Sequence, residues 1–433
     1  TAADQLVERL RVEGERVFVP ALLEVVLGPE VLAKVPDLAL EPDAAFIEKE
    51  MAEARHMLEI SAHGGITEPL GRAGFLYYLS GKPGWAELFK RLAYLMYEDF
   101  LSGRDQYGGA WGMDADFRLH KMMPAWDLVE EAPAFSDADR LEITRILARF
   151  IVDCIPHAES AVRDRKVRHN HTTFAALGLM FAGQYFTKYY GLQEAEDWLY
   201  VADECFIPQA QGWRPVEDSN GYQWITLYHM AKYALARPHM EYFQKGYLRQ
   251  GAELALASMD NLGYQASYGD TRDPFGWGSE WPLLSMAAWY YGDGRYQWAA
   301  EHPGAPAPRA MGLGPISAHN SGIEPVEPRD AIGVQVVPMD RRFFLSTGGP
   351  EVLPLEEAFD KIALRGGLSE DDEYLLLDGI SCGGHKHYDG NSIIRMTALG
   401  RIWLADCDYY CSTPNFHNGV IPLRDGITTE IAP

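Results

Sequence analysis

The stretch HPGAPAP at residues 302–308 divides the chain into two parts that differ in the spacing of their apolar residues. Proline removes a backbone donor and disfavours helix in the residue before it, so no helix is expected to continue through this stretch. Before it, apolar residues recur at helical spacing, as in 45–63. After it they alternate, as in GVQVV at 333–337, which is typical of a β-strand. We therefore predict a helical region followed by a sheet.

The helical part reads as a series of antiparallel helices joined by aromatic-rich loops. Such a series predicts an incomplete (α/α) toroid, and no repeat of fixed length favours a solenoid. We assign residues 1–305 to this helical toroid domain. The predicted helices cover 45–63 and approximately 85–103, 136–156, 172–190, 194–208, 222–237, 245–259 and 281–300.

The part after the break predicts short strands separated by turn residues, as in an antiparallel β-sandwich. We assign residues 325–433 to this domain. That length is small for two complete sheets, so we expect the domain to be incomplete at its C terminus. The predicted strands are 333–337, 343–345, 361–365, 374–377 and 392–396.

Charge and composition exclude several classes of protein. The 433 residues include 62 acidic and 38 basic side chains, a formal charge of −24, which argues against nucleic acid as a partner because phosphate binding needs a basic face. The sequence contains no run of 18 apolar residues, so no membrane span is predicted. Its five cysteines include no CxxC pair and do not indicate a disulfide scaffold. The chain begins at Thr1 rather than Met, which fits either removal of a signal peptide or a start inside a longer chain, and its first 25 residues show no signal-peptide pattern. We expect a periplasmic or secreted protein.

Two segments of the helical part combine charged and polar residues. RDRKVRHNHTT at 163–173 is a local basic cluster in an acidic chain, and it could attract an anionic substrate. It could equally be a solvated loop in which Asn170 caps the next helix. EDSNGYQW at 217–224 opens a helix, where acidic residues are favoured in any case. Its aromatic residues suit either a core or a surface on which sugars stack.

A third segment, GGHKHYDGNS at 383–392, lies in the sheet part. On a strand, His385 and His387 would point to the same face. Asp406, Asp408 and His417 follow closely. Imidazole and carboxylate groups together suit proton transfer or a metal site, for which Zn(II) is the natural ion.

These three segments, in this order, resemble the heparinase II/III-like polysaccharide lyases. The resemblance covers most of the chain, and its motifs are weak singly but fairly specific in order and spacing. It rests on Asn170-His171, on Glu217, Ser219 and Tyr222, on Gly269-Asp270, on Gly384, His385, His387 and Asp389, on Gly400, Arg401 and Asp406, and on His417-Asn418.

The resemblance implies a toroid followed by a sandwich, and cleavage of a uronate-containing polysaccharide by β-elimination. It implies that Tyr222 is the catalytic acid and also a candidate base. His171 and His385 would act as base or carboxylate partners, and Asn170 would neutralise the substrate carboxyl. Relatives that act on heparin can carry Glu where this chain has Phe174, a departure that favours alginate-like or other uronates.

The resemblance also implies a Zn(II) held by His387, Asp406 and His417, for which we favour a structural role. Asp408 is an alternative to Asp406. An anionic polysaccharide or oligosaccharide is the expected partner. The residues expected to contact it are Arg163, Arg165, Lys166, Arg168, Glu217 and Trp224.

Two other functions fit parts of the sequence. A glycoside hydrolase on a helical toroid would use a pair of carboxylates, and Glu217, Asp218, Asp270, Asp273 and Glu280 are available. The histidines of the sheet part would then have no role. A polysaccharide-binding protein without activity would need only the aromatic clusters, and it would leave Asn170, His171 and Tyr222 without a role.

Overall fold

The computed structural model describes residues 36–60, 66–102, 113–164, 167, 169–271, 274–275, 280–302, 323–342, 358–407, 409–420, 423–424 and 427–428. Within them, a mostly helical region precedes a five-stranded antiparallel sheet, as the change in sequence period predicts. Among the described helices, none is both long enough and apolar enough to cross a membrane.

The helices form an inner row and a set that packs outside it. The inner row is α2, α4, α6 and α8, each in contact with the next, while α3 packs on α2, and both α5 and α7 pack on α6. The helices are α1 Ala44–Ile60, α2 Thr67–Ser80, α3 Pro83–Leu101, α4 Met113–Val129, α5 Asp137–Asp164, α6 Asn170–Tyr190, α7 Glu194–Gln209, α8 Tyr222–Ala236, α9 Glu241–Gln244, α10 Tyr247–Ser258, α11 Trp281–Tyr291 and α12 Gly294–Ala300.

Two inner helices, α2 and α4, were not among the sequence predictions. Glycine and proline lower helix propensity, and α2 contains Gly74 while α4 contains Pro124. A Cβ at Gly74 would lie 2.8 Å from the carbonyl oxygen of Ala125, so glycine lets these helices pack closely. The predicted helix 281–300 is divided into α11 and α12 at Gly292, whose positive φ of 63° ends α11.

The sheet has the order β1-β2-β3-β4-β5 with each pair antiparallel. β5 was not predicted, and the predicted strand 343–345 lies outside the described residues. The domain limits of 1–305 and 325–433 stay predictions. The strands are β1 Gly333–Pro338, β2 Phe359–Arg365, β3 Tyr374–Asp378, β4 Ile393–Ala398 and β5 Arg401–Ala405, followed by the short pair β6 Leu423–Arg424 and β7 Ile427–Thr428.

The two faces of the sheet differ in chemistry. Its inner face contacts α10 through β1 and β2 and carries buried charged residues such as Lys361, Arg365 and Arg395. Its outer face carries an apolar row across all five strands, which is Val334, Leu364, Leu375, Met396 and Leu404. The sheet therefore packs on the helices through a mixed face, on which core residues such as Ala363 and Leu376 lie among the buried charges.

Candidate active site

Two of the predicted catalytic residues begin inner helices. Asn170 is the first residue of α6 and is 2% exposed, and Tyr222 is the first residue of α8. Gly221 precedes Tyr222 with φ of 104°, a conformation that glycine adopts without strain. The backbone N–H groups at a helix N terminus favour a negatively charged ligand. Both residues therefore lie where an anionic group would be stabilised.

Glu217 joins the helical part to the sheet part. Its side chain is fully buried. Oε1 accepts the backbone N–H of Asn170 at 2.5 Å, and Oε2 lies 2.7 Å from Nδ1 of His385. Both oxygens of this residue, which we predicted to contact substrate, are therefore engaged by the protein itself.

The rings of His385 and Tyr222 stack directly. Their centres are 3.8 Å apart with 9° between the planes. The hydroxyl of Tyr222 lies 2.8 Å from that of Tyr409. Burial, together with the hydrogen bond that Tyr222 shares with Tyr409, raises the pKa of Tyr222 well above its usual range. Tyr222 is therefore a neutral phenol at ordinary pH and can donate a proton.

The pKa of His385 is shifted by two opposed effects. Burial lowers it, but the hydrogen bond to Glu217 and the charge of that carboxylate raise it by more, so the pKa lies above its ordinary value. Its backbone has a φ of 54°, in the left-handed region that a histidine rarely adopts. The surrounding contacts hold this conformation.

Three backbone hydrogen bonds to two neighbouring segments hold the loop of His385 in place. The N–H of Gly384 donates to Val216 at 2.6 Å, and the N–H of Asp218 donates to Gly384 at 2.9 Å. The N–H of Asp270 donates to the carbonyl of His385 at 2.9 Å. A Cβ at Gly269 would lie 2.4 Å from the carbonyl oxygen of Asp218 and 2.6 Å from that of His385. Glycine is therefore required where these segments meet.

A buried network of charges lies behind this loop. Oδ1 of Asp218 accepts from Arg214 at 2.8 Å, and Oδ2 accepts the backbone N–H of Cys382 at 3.0 Å. Arg214 also pairs with Asp360 at 2.9 Å, while Lys361 donates to Asp378 at 2.8 Å. All these charged side chains are at most 2% exposed. The network ties the start of the loop to α8 and to β2.

His171 contacts a buried carboxylate that the sequence analysis did not identify. Its Nδ1 lies 3.0 Å from Oδ2 of Asp116 in α4. Burial raises the pKa of Asp116. With Nδ1–H donating to this carboxylate, Nε2 of His171 is left as an acceptor. Asp116 thus orients a candidate base.

The side-chain amide of Asn170 makes no hydrogen bond to any residue in the described ranges, and its Oδ1 is buried. Buried polar atoms are nearly always paired in folded proteins. The unpaired amide of Asn170, whose backbone binds Glu217, is therefore a group that a ligand would satisfy.

The predicted metal ligands are only partly together. Nδ1 of His417 lies 2.8 Å from Oδ1 of Asp406, and an oxygen of Asp389 comes within 4.8 Å of ligand atoms on both. His387 instead directs Nε2 to Oδ1 of Asp270 at 2.7 Å. Nε2 of His417 is buried and has no hydrogen-bond partner within the described part of the chain. The group that could hold a cation is therefore Asp389, Asp406 and His417.

The remaining residues predicted to contact substrate are buried in the core, exposed at the surface, or outside the residues that the structure describes. Trp224 is fully buried, and its Nε1 donates to Oδ1 of Asn220 at 2.9 Å. The side chain of Arg163 is 76% exposed and pairs with its neighbour Asp164. The residues that fall outside the described ranges are Arg165, Lys166, Arg168, Asp273 and Asp408.

Tyr409 and Asp116 carried no signal that sequence reasoning could use. Tyr409 lies in the stretch DYYC at 408–411, close to the motif residue Asp406, but nothing in the sequence distinguishes it from Tyr410. Asp116 lies within α4, a helix that the sequence analysis did not predict. Asp389 belonged to a recognised motif, but spacing alone does not distinguish it from His387 as a metal ligand.

Comparison with known proteins gives partial matches in structure only. No family model matches the chain, and no curated protein sequence is similar to it. The heparan sulfate lyase HepC from Pedobacter heparinus aligns with 77% of this chain and 47% of its own at 14% identity and a TM-score of 0.41. A structure of heparinase III aligns with 78% of this chain and 50% of its own at 13% identity and a TM-score of 0.48.

Another heparinase III aligns with 84% of this chain and 56% of its own at 14% identity and a TM-score of 0.45. The chain thus spans about half the length of the structures it matches. Partial similarities of this size say nothing about activity or substrate.

Proposed function

We propose that the protein is a polysaccharide lyase that cleaves a uronate-containing glycan by β-elimination. One observation carries the proposal. Tyr222 stacks on His385, and Glu217 contacts both His385 and Asn170. An acid, a histidine and a free amide therefore meet at the start of two helices, as this reaction requires.

The reaction removes the proton on carbon 5, next to the substrate carboxylate. Negative charge builds on that carboxyl group and must be neutralised. The free amide of Asn170 can donate to it, and His385 can do so in its protonated form. Donors aimed at developing charge are worth about 3–4 kcal/mol each.

We assign the proton transfers to different residues. His171 is proposed as the base, since Asp116 holds its Nδ1 and leaves Nε2 free to accept the proton from carbon 5. Tyr222 is proposed as the acid that protonates the leaving oxygen on carbon 4, because its raised pKa keeps the phenol protonated. Each such group contributes about 10²–10⁴-fold.

An absorbance screen tests the proposal. The substrates are alginate, polymannuronate, polyguluronate, hyaluronan, chondroitin sulfates, heparan sulfate and heparin. β-Elimination leaves a conjugated double bond that absorbs ultraviolet light, and hydrolysis does not. We expect rising absorbance on at least one substrate and none with Tyr222→Phe.

New reducing ends without absorbance would contradict the lyase and favour the hydrolase. Against that alternative, Glu217 and Asp218 are both buried and engaged by protein groups. Binding without turnover would favour the non-catalytic protein.

We also propose a structural Zn(II) site with a ligand set that differs from the sequence prediction. Asp389, Asp406 and His417 would hold the ion, and His387 would not. The buried, unpaired Nε2 of His417 and two nearby carboxylates are the kinds of donor that zinc takes. The bound ion would cross-link residues 389–417, the stretch that carries Tyr409.

Metal analysis tests this ligand set without reference to activity. We expect one zinc per chain in the purified protein and in His387→Ala, and a loss of zinc in His417→Ala. If His387→Ala loses zinc and His417→Ala retains it, the proposed ligand set is contradicted. That result would favour His387 as a ligand, as the sequence analysis predicted.

The finer architecture is proposed together with the function. We propose that the inner helical row closes into a toroid and that the sheet is one layer of a sandwich. The apolar outer face supports the second layer, since Val334, Val336 and Leu364 are exposed on it and such a surface is normally covered. A periplasmic or secreted location follows from the proposed polymeric substrate.

A further inference from the structure

Two lysines point into the interior of the helical part. Lys232 in α8 is 8% exposed. Its Nζ lies 4.9 Å from the centre of the Tyr228 ring and makes no hydrogen bond to any residue of the described chain. Lys121 in α4 is also largely buried, and its Nζ donates to Oε2 of Glu68 at 2.7 Å. Glu68 acts on Lys232 through its charge without a direct contact, so two ammonium groups lie near one carboxylate.

Other polar atoms around these lysines lack partners too. Oε1 of Glu68 and the hydroxyl of Tyr228 are buried without a hydrogen bond to described residues. Burial and the nearby charge of Lys121 lower the pKa of Lys232 to about 7. Burying a charged group without a counter-ion is costly. An anion placed here would accept hydrogen bonds from Lys232 and Tyr228 and remove that cost.

Lys232 lies in the same helix as Tyr222, and a nearby residue of that helix is linked to Asn170. His229, one turn before Lys232 in α8, has Nδ1 2.9 Å from Oγ1 of Thr173. That hydroxyl donates to the carbonyl of Asn170 at 2.8 Å. From Tyr222 to Lys232 the rise along α8 is about 15 Å. This distance separates Lys232 from Tyr222, so an anion bound at Lys232 would not be the group that reacts.

We propose that Lys121 and Lys232 form an anion subsite that binds a carboxylate or sulfate group of the glycan, at a sugar unit away from the bond that is cleaved. The two ammonium groups and one carboxylate leave an excess of positive charge, which selects an anion over a cation. The identity of the ligand rests on the proposed function, but the subsite itself does not need turnover to be detected.

Direct binding of small anions tests the subsite. The full-length protein is titrated at pH 6, where Lys232 is charged, with sodium sulfate and with sodium glucuronate, at constant ionic strength kept with sodium chloride. Calorimetry measures the dissociation constant. We expect saturable binding of at least one anion. Tighter glucuronate indicates a carboxylate ligand, and tighter sulfate indicates a sulfated one.

Three variants make the test specific. Lys232→Met should weaken binding about tenfold or more, as the loss of a charged hydrogen bond does. Glu68→Gln should tighten binding, because it removes the competing negative charge while keeping a similar shape. Lys245→Met is the matched control, since Lys245 is exposed and pairs with Glu241 on the surface, and it should bind as the original protein does.

The proposal is overturned if neither anion binds saturably, if Lys232→Met binds like Lys245→Met, or if Glu68→Gln leaves the affinity unchanged. If Lys232→Met fails to fold, the affinity of Glu68→Gln for the anions still tests the proposal. With an active substrate, Lys232→Met should raise KM and leave kcat within about threefold. Anion binding without any lyase activity would support the subsite and contradict the proposed function, so the two failures are distinguishable.

Discussion

The two halves of the candidate site are held in place by different means. Asn170 and Tyr222 occupy the first positions of α6 and α8, where the helix itself sets their direction. His385 lies in the loop between β3 and β4 with a left-handed backbone, and only contacts from other segments hold it there. The helix side should therefore tolerate changes that preserve local structure, whereas the loop side depends on distant buried partners.

The loop side also carries the greater electrostatic cost. Arg214, Asp218, Asp360, Lys361 and Asp378 are all buried. Buried ions are stabilising only when each keeps its partners. A helix start needs no such network. Substitutions on the helix side should therefore lower the reaction rate, and substitutions on the loop side should lower the stability of the fold.

The largest expected effect is on the helix side. Tyr222→Phe should lower kcat by about 10²–10⁴-fold, since it removes a positioned acid. The phenyl ring keeps the stacking with His385, so the thermal unfolding midpoint should stay close to the original. Steady-state kinetics and calorimetry measure both quantities.

Tyr409→Phe is the matched control. It removes one hydrogen bond to Tyr222 and should cost about tenfold or less. If Tyr409→Phe lowers kcat more than Tyr222→Phe does, Tyr409 is the acid, and the acid then lies on the loop side of the site.

The second prediction concerns the loop side. Asp218→Ala should lower the free energy of unfolding by about 3–5 kcal/mol, because Arg214 and Lys361 lose a buried partner. It should also lower kcat, since Cys382 loses the acceptor that anchors the loop. Urea denaturation measures the stability. Glu241→Ala, which breaks an exposed ion pair, should lose far less, and equal losses would remove the distinction between the two sides.

The third prediction concerns the residue that joins the sides. Glu217→Gln should lower the pKa of His385, because burial then acts without the opposing carboxylate. The part of the rate–pH profile that follows His385 should move to lower pH. An NMR titration of the His385 ring measures the pKa directly.

The same change predicts how stability depends on pH. The folded pKa of His385 is raised, so the pair with Glu217 stabilises fully below the unfolded value of about 6.5 and less as pH rises through the folded pKa. Glu217→Gln should therefore destabilise more at pH 5.5 than at pH 8.5. In a His385→Gln background this difference should vanish, and its persistence there would show that another group titrates.

The smallest effect is expected at the protein surface. Arg163→Ala should change KM by less than about fivefold, as is usual for exposed charges. The change should shrink as salt is added, because screening shortens the range of the interaction. Kinetics at two ionic strengths measure it. A large fall in kcat would instead bring Arg163 into the catalytic group.

Sequence reasoning predicted the elements of the fold better than the contacts of the site. The changes in apolar spacing predicted most helices and strands, but α2 and α4 were missed because they contain Gly74 and Pro124, residues of low helix propensity. The motif residues Asn170, Tyr222 and His385 do lie together. The partners Tyr409 and Asp116 and the cation group with Asp389 were not predicted, since nothing in their local sequence distinguishes them.

By itself, the sequence determined the order of helices and sheet, the acidic charge and the helix start at Tyr222, because periodicity acts over a few residues. The helix of Asn170 was predicted from residue 172 with Asn170 as its cap, but His169 occupies the cap position and Asn170 is the first helical residue. The tertiary structure alone decided which groups meet. Glu217 and His385 are 168 positions apart, and Tyr222 and Tyr409 are 187 apart. Contacts over such separations arise from the packing of the sheet onto the helices, and no local spacing encodes them.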